Sequence, residues 1–571
     1  MKNNRLLLCI FILLLSTQMI FAPMTILPTH AQRLRLEVQN KDIAVSHAPI
    51  QASDIRFGYN YRVTDGSSPY PEQVEPTLTI LNTNRLLIGW KEADTYNGPG
   101  RRVGFCYSDD EGQTFSPNIL IETLGINEYQ SDPWLISDTN DNAYFAFLEY
   151  NGPEEGMGVA KTVDGGLSWN APTQASDTSG YLDDKETACV DADGNIYMMW
   201  DHFVTQNYAN LVFTRSSNGG ASFQPTQILG SWDTHGGIPY LTCTPNGTLF
   251  ASTVWDSNPD GPIDTIFFMK STNYGTTWTS PQQVNPPGSG EIAIITVCAT
   301  DSQHHIYICY AAGSPADKDV YVIKSIDAGI SWSDPVQVND DATNMQRMVE
   351  MHIDEDDDIH VAWLDARNNE WDIYYSYSDD GGTTFSQDVR ITTEGFPLSF
   401  TRPGDYFTLR SGPSGRLFIV WTDGRSVTDQ DIYLAKQDMA TPELSLISID
   451  PPTFFEPVTI IVKATDDDHL SAVSLFYQID QGVFRYLPMS EVTENMYQAT
   501  IPGSIITGTI LSYYFGTNDT AGRYTRLPSE SEGVFIVQIG SMSPTLIITI
   551  IIGVIIIVTV VLFAVWYLRK D

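Results

Sequence analysis

An eight-residue pattern occurs six times in this chain, at intervals of 53 to 55 residues. A fixed period of this length is typical of repeat architectures, in which each repeat is one supersecondary unit. The repeats therefore allow most of the 571 residues to build one large body. The copies are SDDEGQTF, TVDGGLSW, SSNGGASF, STNYGTTW, SIDAGISW and SDDGGTTF, beginning at Ser108, Thr162, Ser216, Ser271, Ser325 and Ser378.

The segments between the octapeptides predict four β-strands in each repeat. In the sixth repeat, residues 348–353, 359–363, 372–376 and 388–392 are short runs rich in β-branched and aromatic residues. Clusters of Asp, Asn and Gly bound them, which is the signal for strands joined by turns. Four strands in a unit of about 54 residues are the signature of a β-propeller blade.

The two ends of the repeat region decide the number of blades. The pattern of the first three strands occurs seven times, but the seventh unit, residues 402–438, has no octapeptide and no fourth strand. Residues 55–63 form a strand-like run before the first unit. We expect this run to be the outer strand of the seventh blade and to close the ring. The prediction is an all-β, seven-bladed propeller over residues 51–440, with six blades as the alternative.

A second all-β domain is predicted after the propeller. Residues 442–540 contain about seven short alternating runs and no cysteine. This spacing predicts a β-sandwich of immunoglobulin or fibronectin type III kind, without an intersheet disulfide.

The two termini predict export and membrane attachment. Lys2 and Arg5 precede a long apolar run, so residues 1–31 are interpreted as a signal peptide, with an uncleaved anchor as the alternative. Residues 546–568 carry no charge and predict one transmembrane helix, followed by a cytoplasmic tail at 569–571. The expected location is the cell surface, with the N-terminal part extracellular.

Composition excludes one class of partner. The formal net charge is −39, which argues against binding of nucleic acid, because phosphates are repelled.

Five cysteines remain beyond the signal peptide. Cys189, Cys243 and Cys298 recur at equivalent places in successive repeats, which favours buried thiols. A disulfide between Cys298 and Cys309 across one hairpin is the alternative.

Three acidic segments are candidates for Ca²⁺, because carboxylate and carbonyl oxygens are its ligands. Residues 191–195, 354–358 and 465–469 lack the full spacing of a known calcium loop, and solvated turns are the other interpretation. The histidines form no metal-ligand pattern. No metal or cofactor is therefore predicted beyond possible Ca²⁺.

The octapeptide suits a tight turn between the third and fourth strands. Its third residue, Asp or Asn, can bond to the turn backbone, and its fifth is always glycine, which tolerates positive φ. These residues are predicted to be structural. They are Asp110, Gly112, Asp164, Gly166, Asn218, Gly220, Asn273, Gly275, Asp327, Gly329, Asp380 and Gly382.

The pattern S-x-D-x-G-x-[ST]-[WF] resembles the Asp-box, or BNR repeat, of the sialidase superfamily over residues 55–438. The resemblance implies a propeller whose ligand site lies on the face opposite the octapeptides. The starts of the first strands and the loops between second and third strands should form that mouth. Its predicted residues are Glu75, Asp132, His235, Glu291, Arg347, Arg402, Asp365 and Asp423, with Asp184 and Lys185 beside them.

The same resemblance implies an arginine triad, an acid/base Asp and a Tyr–Glu nucleophile pair. Arg347 and Arg402 are candidates for two triad arginines, and Asp94 for the acid/base. The first arginine is absent, because residues 73–76 read QVEP, and no Tyr–Glu pair can be assigned. Interblade ion pairs are the other interpretation of the two arginines, and a turn residue that of Asp94.

Three functions follow from these observations. The first is an extracellular propeller that binds a glycan or a cell-surface protein at its mouth. The second is an exo-sialidase or another glycoside hydrolase. The third is a structural cell-surface or adhesion component. The missing arginine and nucleophile favour binding over catalysis, since function is decided by the site and not by the fold.

Overall fold

The computed structural model describes residues 55–95, 98–125, 129–150, 155–176, 182–205, 208–233, 237–255, 263–341, 343–400, 403–426, 429–541 and 544–567. It contains seven antiparallel sheets of the propeller type, two further antiparallel sheets and one C-terminal helix.

Each of the first six sheets is built from consecutive strands, as expected of propeller blades. Blade 1 comprises Glu72–Ile80, Leu86–Ala93, Gly100–Ser108 and Ile119–Leu120. Blade 2 comprises Tyr129–Ser137, Ala143–Tyr150, Glu155–Thr162 and Thr173–Gln174, and blade 3 Leu182–Val190, Ile196–Thr205, Tyr208–Ser216 and Gln227–Asp233. Blade 4 comprises Tyr240–Cys243, Leu249–Trp255, Thr265–Ser271 and Gln282–Gln283, and blade 5 Glu291–Thr300, Ile306–Ser314, Asp317–Ser325 and Val336–Gln337. Blade 6 comprises Gln346–Ile353, Ile359–Asp365, Glu370–Ser378 and Val389–Arg390, with an added short strand at Phe396–Pro397.

The seventh blade closes the ring with the N-terminal strand. Its inner strands are Thr408–Ser411, Leu417–Asp423 and Asp431–Asp438, and Arg56–Arg62 pairs antiparallel with the last of these. The first strands of successive blades contact one another all round, and that of blade 7 contacts that of blade 1. The predicted closure by the run before the first repeat is confirmed, and the ring has seven blades.

A buried tryptophan near the end of the second strand recurs in several blades. In blades 1, 6 and 7 its indole N–H donates to a carboxylate two residues later, at 2.8, 2.9 and 2.8 Å. The strand thus ends in a buried acidic group that is already hydrogen-bonded. The pairs are Trp90 with Glu92, Trp363 with Asp365, and Trp421 with Asp423.

The octapeptides form closely similar hydrogen-bonded turns. In the first copy, Ser108 Oγ accepts the N–H of Gly112 at 2.8 Å, and Asp110 Oδ1 accepts that of Thr114 at 2.8 Å. Gly112 has a φ of 83°, and the equivalent glycines lie between 76° and 85°. In the fifth copy, hydrogen bonds from Ser331 lower the pKa of Asp327 to about 2. The polar side chains of the pattern are used within the turn itself.

The closing aromatic residue of the octapeptide joins neighbouring blades. The ring centroid of Trp169 in blade 2 lies 5.2 Å from that of Phe105 in blade 1, edge to face. Trp278 and Trp332 make the same contact with the preceding blade. These aromatics therefore pack the turn of one blade against the preceding blade.

The turns between first and second strands and the octapeptide turns between third and fourth strands lie on the same face of the propeller. Arg85, in the turn between the first and second strands of blade 1, donates to the carbonyl of Gly165 in the octapeptide of blade 2 at 2.8 Å. The loops between second and third strands, and the entries to the first strands, therefore lie on the opposite face.

Two sheets after the propeller pack face to face as a β-sandwich. They share one buried core that includes Val462, Leu475 and Phe515. Its assignment to the immunoglobulin or fibronectin type stays a prediction. The first sheet comprises Glu443–Ile449, Val458–Thr465, Met496–Ile501 and Ser490–Thr493, and the second Arg485–Pro488, Leu470–Ile479, Ile510–Asp519, Tyr524–Leu527 and Phe535–Gln538. A short 3-10 helix spans Gly503–Ile505.

The C-terminal segment forms a helix, Pro544–Tyr567. Within the described ranges, however, no helix is both long and apolar enough to cross a membrane, which contradicts the predicted transmembrane helix over residues 546–568. The predicted signal peptide, 1–31, and tail, 569–571, lie outside the described residues.

The alternative of a Cys298–Cys309 disulfide is wrong. Both residues are free thiols, as are the other three cysteines in the described part of the chain. In the hairpin of blade 5, Cys298 lies opposite Ile308, and Cys309 opposite Val297. Their side chains therefore point to opposite faces of the sheet, since neighbours along a strand alternate.

Candidate ligand-binding site at the propeller mouth

The first strands of blades 1, 2 and 3 enter the sheet through a bulge. The register with the second strand shifts in each, and one residue takes a left-handed conformation, with φ of 56° at Glu75, 51° at Asp132 and 63° at Lys185. Such a conformation costs about 1–3 kcal/mol for a residue other than glycine. Bulges next to functional sites re-aim side chains, and here they bring charged residues to one mouth.

These side chains line a pocket of about 220 Å³ over blades 1 to 3. The ammonium group of Lys91 lies 2.7 Å from a carboxylate oxygen of Glu75. Lys185 Nζ lies 2.6 Å from Asp405 Oδ2 and 3.8 Å from Asp184 Oδ2. The wall is completed by Tyr150 and by residues 98–100, among others. The pocket thus holds two cations among five carboxyl groups, those of Glu72, Glu75, Asp132, Asp184 and Asp405.

The pKa values of neighbouring carboxyl groups in this pocket are shifted in opposite directions. Burial raises the pKa of Asp184 well above its usual range, against the opposing effect of Lys185. Burial acts on Asp132 too, but Lys185 and Lys91 outweigh it and lower the pKa of that carboxyl. Burial also raises the pKa of Glu75 to about 7, despite Lys91. Groups whose pKa values are pushed apart in one site can act as a proton donor and a proton acceptor.

Two further acids adjoin residues of the pocket: Glu186 follows Lys185 in the chain, and Asp201 lies opposite Asp184 on the neighbouring strand. Both carboxyl oxygens of Glu186 are buried without a hydrogen-bond partner, and burial raises its pKa well above the usual value. Burial likewise raises the pKa of Asp201 to about 7. Tyr406, which is close enough to Glu186 to interact with its charge, donates to the carbonyl of Pro133 at 3.0 Å.

A second, more apolar pocket adjoins the first. It has a volume of about 580 Å³ and shares Gly404 and Asp405 with the polar pocket. Its apolar wall comes from blades 4, 5 and 6 and the residue before blade 6: Ile263, Ile292, Ala293, Ile294, Ile295, Pro315, Met345 and Met348. The mouth therefore has a polar half and an apolar half.

Four of the predicted mouth residues line these pockets. Glu75 and Asp132 lie in the polar half, and Glu291 and Arg347 in the apolar half. Glu291 pairs with Lys318 at 2.8 Å. The Arg347 guanidinium lies 4.4 Å from the ring centroid of Trp371, which it covers.

Three predicted site residues are used in local ion pairs instead. Asp94 accepts from Arg101 Nε at 2.6 Å in an exposed loop. Asp365 and Asp423 are buried, and each binds both the indole N–H already described and an arginine two residues later. His235 and Arg402 lie outside the described residues.

Sequence reasoning missed Lys91 and Asp405 as pocket residues. Lys91 lies on the second strand of blade 1, opposite Val74. A lysine on this strand beside an acidic first strand is the signal that could have found it, but the repeat pattern does not single out this position. Asp405 follows a glycine with φ of 76° before the first strand of blade 7. Its position depends on that turn, which the repeat does not specify.

The fold and the pocket define this chain as a seven-bladed β-propeller with a charged, partly apolar mouth. No protein-family model matches the sequence, and no curated protein matches it. Among solved structures, an ulvan lyase of polysaccharide lyase family PL25 is 11% identical, with a TM-score of 0.44, over 66% of this chain and 93% of that one.

Two further neighbours are named as glycosidases. A Hadza microbial sialidase is 15% identical with a TM-score of 0.40, over 54% of this chain and 65% of that one. An α-L-arabinanase of Penicillium chrysogenum, solved with arabinobiose, is 14% identical with a TM-score of 0.41, over 68% of this chain and 99% of that one. These identities are low, so the function of this chain must be argued from its own residues.

Proposed function

We propose that the propeller binds a polar, hydroxyl-rich ligand, a glycan unit, in the pocket over blades 1 to 3. One observation carries the proposal: three left-handed bulges direct Glu75, Asp132 and Lys185 into one cavity. Ionised carboxylates accept hydrogen bonds from sugar hydroxyls, and protonated carboxyls and ammonium groups donate to them. The apolar half of the mouth would pack against the remainder of the ligand.

The charge balance of the pocket favours an uncharged glycan over a sialoside. Both lysines already have carboxylate partners. Arg347 lies at the apolar half and stacks on Trp371. A sugar carboxylate would need cations that are free to form paired hydrogen bonds, as arginine does.

The test is a glycan-array screen of the purified protein, followed by calorimetry on the best ligand. Asp132→Asn and Lys185→Met should weaken binding by about tenfold or more, because hydrogen bonds to charged groups contribute about 1.5–3 kcal/mol. Asp94→Asn is the matched control, since Asp94 pairs with Arg101 in an exposed loop. Equal binding by all three variants would exclude this pocket.

The protonation pattern supports glycoside cleavage as a second candidate function. Asp184 would give its proton to the leaving oxygen and, as a carboxylate, take one from the water that then attacks the anomeric carbon. Asp132 is hydrogen-bonded to Asp184 and would hold this carboxyl in place. A screen of fluorogenic glycosides separates the two functions. Turnover lost in Asp184→Asn, with ligand binding retained, would establish catalysis. Binding without turnover on any substrate would leave recognition alone.

We propose an extracellular location for the propeller, supported by the signal-like sequence of residues 1–31. Expression of the full chain with and without these residues, followed by fractionation, tests it. Retention of both forms inside the cell would contradict it.

A cell-surface protein as partner, in place of a glycan, would be recognised by binding that survives enzymatic deglycosylation of the target cells.

A further inference from the structure

A loop of the sandwich is anchored on the outer edge of blade 7. Asp468 accepts hydrogen bonds from Tyr61 Oη at 2.5 Å and from the backbone N–H of Tyr59 at 2.9 Å. The ring of His469 stacks on that of Tyr59, with centroids 4.7 Å apart. This loop is the acidic segment 465–469, and the proposed function of the mouth does not use it.

Carboxylates from both parts of the molecule meet at this junction. Asp438 ends the third strand of blade 7, and Asp466 and Asp467 belong to the sandwich loop. One oxygen from each lies within 4.8 Å of the other two. Asp519, at the end of another sandwich strand, lies against Asp438 and interacts with its carboxyl group.

Several oxygens of this cluster have no hydrogen-bond partner among the described residues. They are Asp438 Oδ2, Asp466 Oδ1 and Asp519 Oδ2. Asp438 is 1% exposed and Asp519 2%, so water does not readily solvate these two. Buried polar atoms are normally hydrogen-bonded, and an orphaned one calls for an explanation such as a bound ion.

The other acidic segments of the sequence differ in this respect. Asp191 and Asp354 each accept two backbone N–H groups on one oxygen and side-chain donors on the other. The oxygens of these carboxylates therefore already have hydrogen-bond donors within their own turns. In contrast to these two turns, the junction brings together carboxylate oxygens without hydrogen-bond partners from separate segments of the chain.

The charge of the cluster is incompletely balanced. Arg523 pairs with Asp438, and Arg416 with Asp467 at 2.6 Å. Two arginines among four carboxylates leave two negative charges, the charge that one divalent cation would neutralise.

We propose that Asp438, Asp466, Asp467 and Asp519 bind one Ca²⁺ ion that joins the sandwich to blade 7. Ligands that are all oxygen suit a hard cation, and Ca²⁺ accepts irregular coordination by mono- or bidentate carboxylates. Mg²⁺ demands near-ideal octahedral geometry, which carboxylates on three separate segments do not readily supply. The ion would couple the two bodies, because its ligands come from both.

The experiment is a calorimetric titration of the full chain, stripped with EGTA, with CaCl₂. One ion per chain should bind, and the unfolding temperature should rise on its addition. Asp466→Asn and Asp519→Asn should each weaken binding at least tenfold and abolish the thermal shift. Asp356→Asn is the matched control, since Asp356 is an exposed acid of the 354–358 turn and should bind as the wild type does.

Either of two results would overturn the site. If the wild-type protein shows neither saturable Ca²⁺ binding nor a thermal shift, the proposed site is excluded, whatever the variants do. Binding that is unchanged in both junction variants, or lost equally in Asp356→Asn, assigns the ion to diffuse surface charge. Circular dichroism of the EGTA-treated variants checks that they fold. Because glycan binding is measured separately at the mouth, failure here leaves the proposed function unaffected.

Discussion

At the scale of single residues, the mouth is defined by backbone conformation as much as by charge. Glu75, Asp132 and Lys185 occupy left-handed positions that non-glycine residues rarely adopt. Strain of this kind persists only where the surrounding structure determines it. The order of the strands in the sequence predicted that these residues lie at the mouth. Their residue types, Glu, Asp and Lys, do not predict a bulge.

The buried carboxyl of Asp201 should make stability depend on pH. Its pKa rises from 3.8 to about 7 in the folded chain because of burial. Between about pH 4 and 7 the unfolded chain releases this proton while the folded chain keeps it, so the free energy of unfolding falls as pH rises. Between pH 5 and pH 8 the fall should be about 3 kcal/mol larger in wild type than in Asp201→Asn, at about 1.4 kcal/mol per pH unit below the folded pKa. Urea unfolding of both proteins at pH 5 and pH 8 measures this difference. An equal change in the free energy of unfolding for the two proteins would contradict the assignment.

The octapeptide glycine should be required for space as well as for φ. Gly166 has a φ of 84°, and a Cβ there would lie 2.7 Å from Cζ of Phe105 in the preceding blade. Gly415 has a similar φ of 76° with nothing within 4 Å. Gly415→Ala should cost about 1–2 kcal/mol from conformation alone, and Gly166→Ala about 1–3 kcal/mol more from overpacking. Equal losses in chemical unfolding would show that the contact with Phe105 is unimportant.

Among the strands and turns, the sequence predicts the elements that recur in every repeat but not the contacts that differ from one repeat to the next. The four strands of each blade and the ring closure could be predicted, because period, alternation and turn residues are all local. The pairing of Lys91 with Glu75 and the position of Asp405 could not, because the first depends on the bulge at Glu75 and the second on the turn at Gly404, and the repeat specifies neither. The transmembrane prediction rested on apolar length alone and was contradicted.

The closing strand should contribute strongly to stability through Phe57. Phe57 is buried, and its ring lies 5.3 Å from that of Tyr375 in blade 6, so the strand ties blade 7 to its neighbour. Phe57→Ala should cost about 3–5 kcal/mol, as for other large buried side chains. Ile119 lies on the outer strand of blade 1 but is 39% exposed, so Ile119→Ala should cost much less. Guanidinium unfolding of both variants tests whether the closing strand differs from an ordinary outer strand.

At the scale of the whole molecule, propeller and sandwich are joined by charged and aromatic contacts. The contacts involve Arg416 and Arg523 from opposite sides of the junction, together with the Tyr61–Asp468 hydrogen bond. Most of these groups are buried or half-buried, so each pair is sensitive to loss of its partner. The two bodies should therefore unfold together while the junction is intact.

Arg523→Ala should separate the unfolding of the two bodies. Its removal leaves the buried Asp438 carboxylate without its ion pair, which costs roughly 3–5 kcal/mol for a buried pair broken on one side. In EGTA, calorimetry should show one transition for wild type and two for the variant, because the sandwich then has its own core but little hold on blade 7. Arg485→Ala, an exposed arginine of the sandwich, is the control and should keep one transition. Two transitions already present in the wild type would mean that the junction does not couple the bodies, and that a cation at Asp438 and Asp466 would be needed to do so.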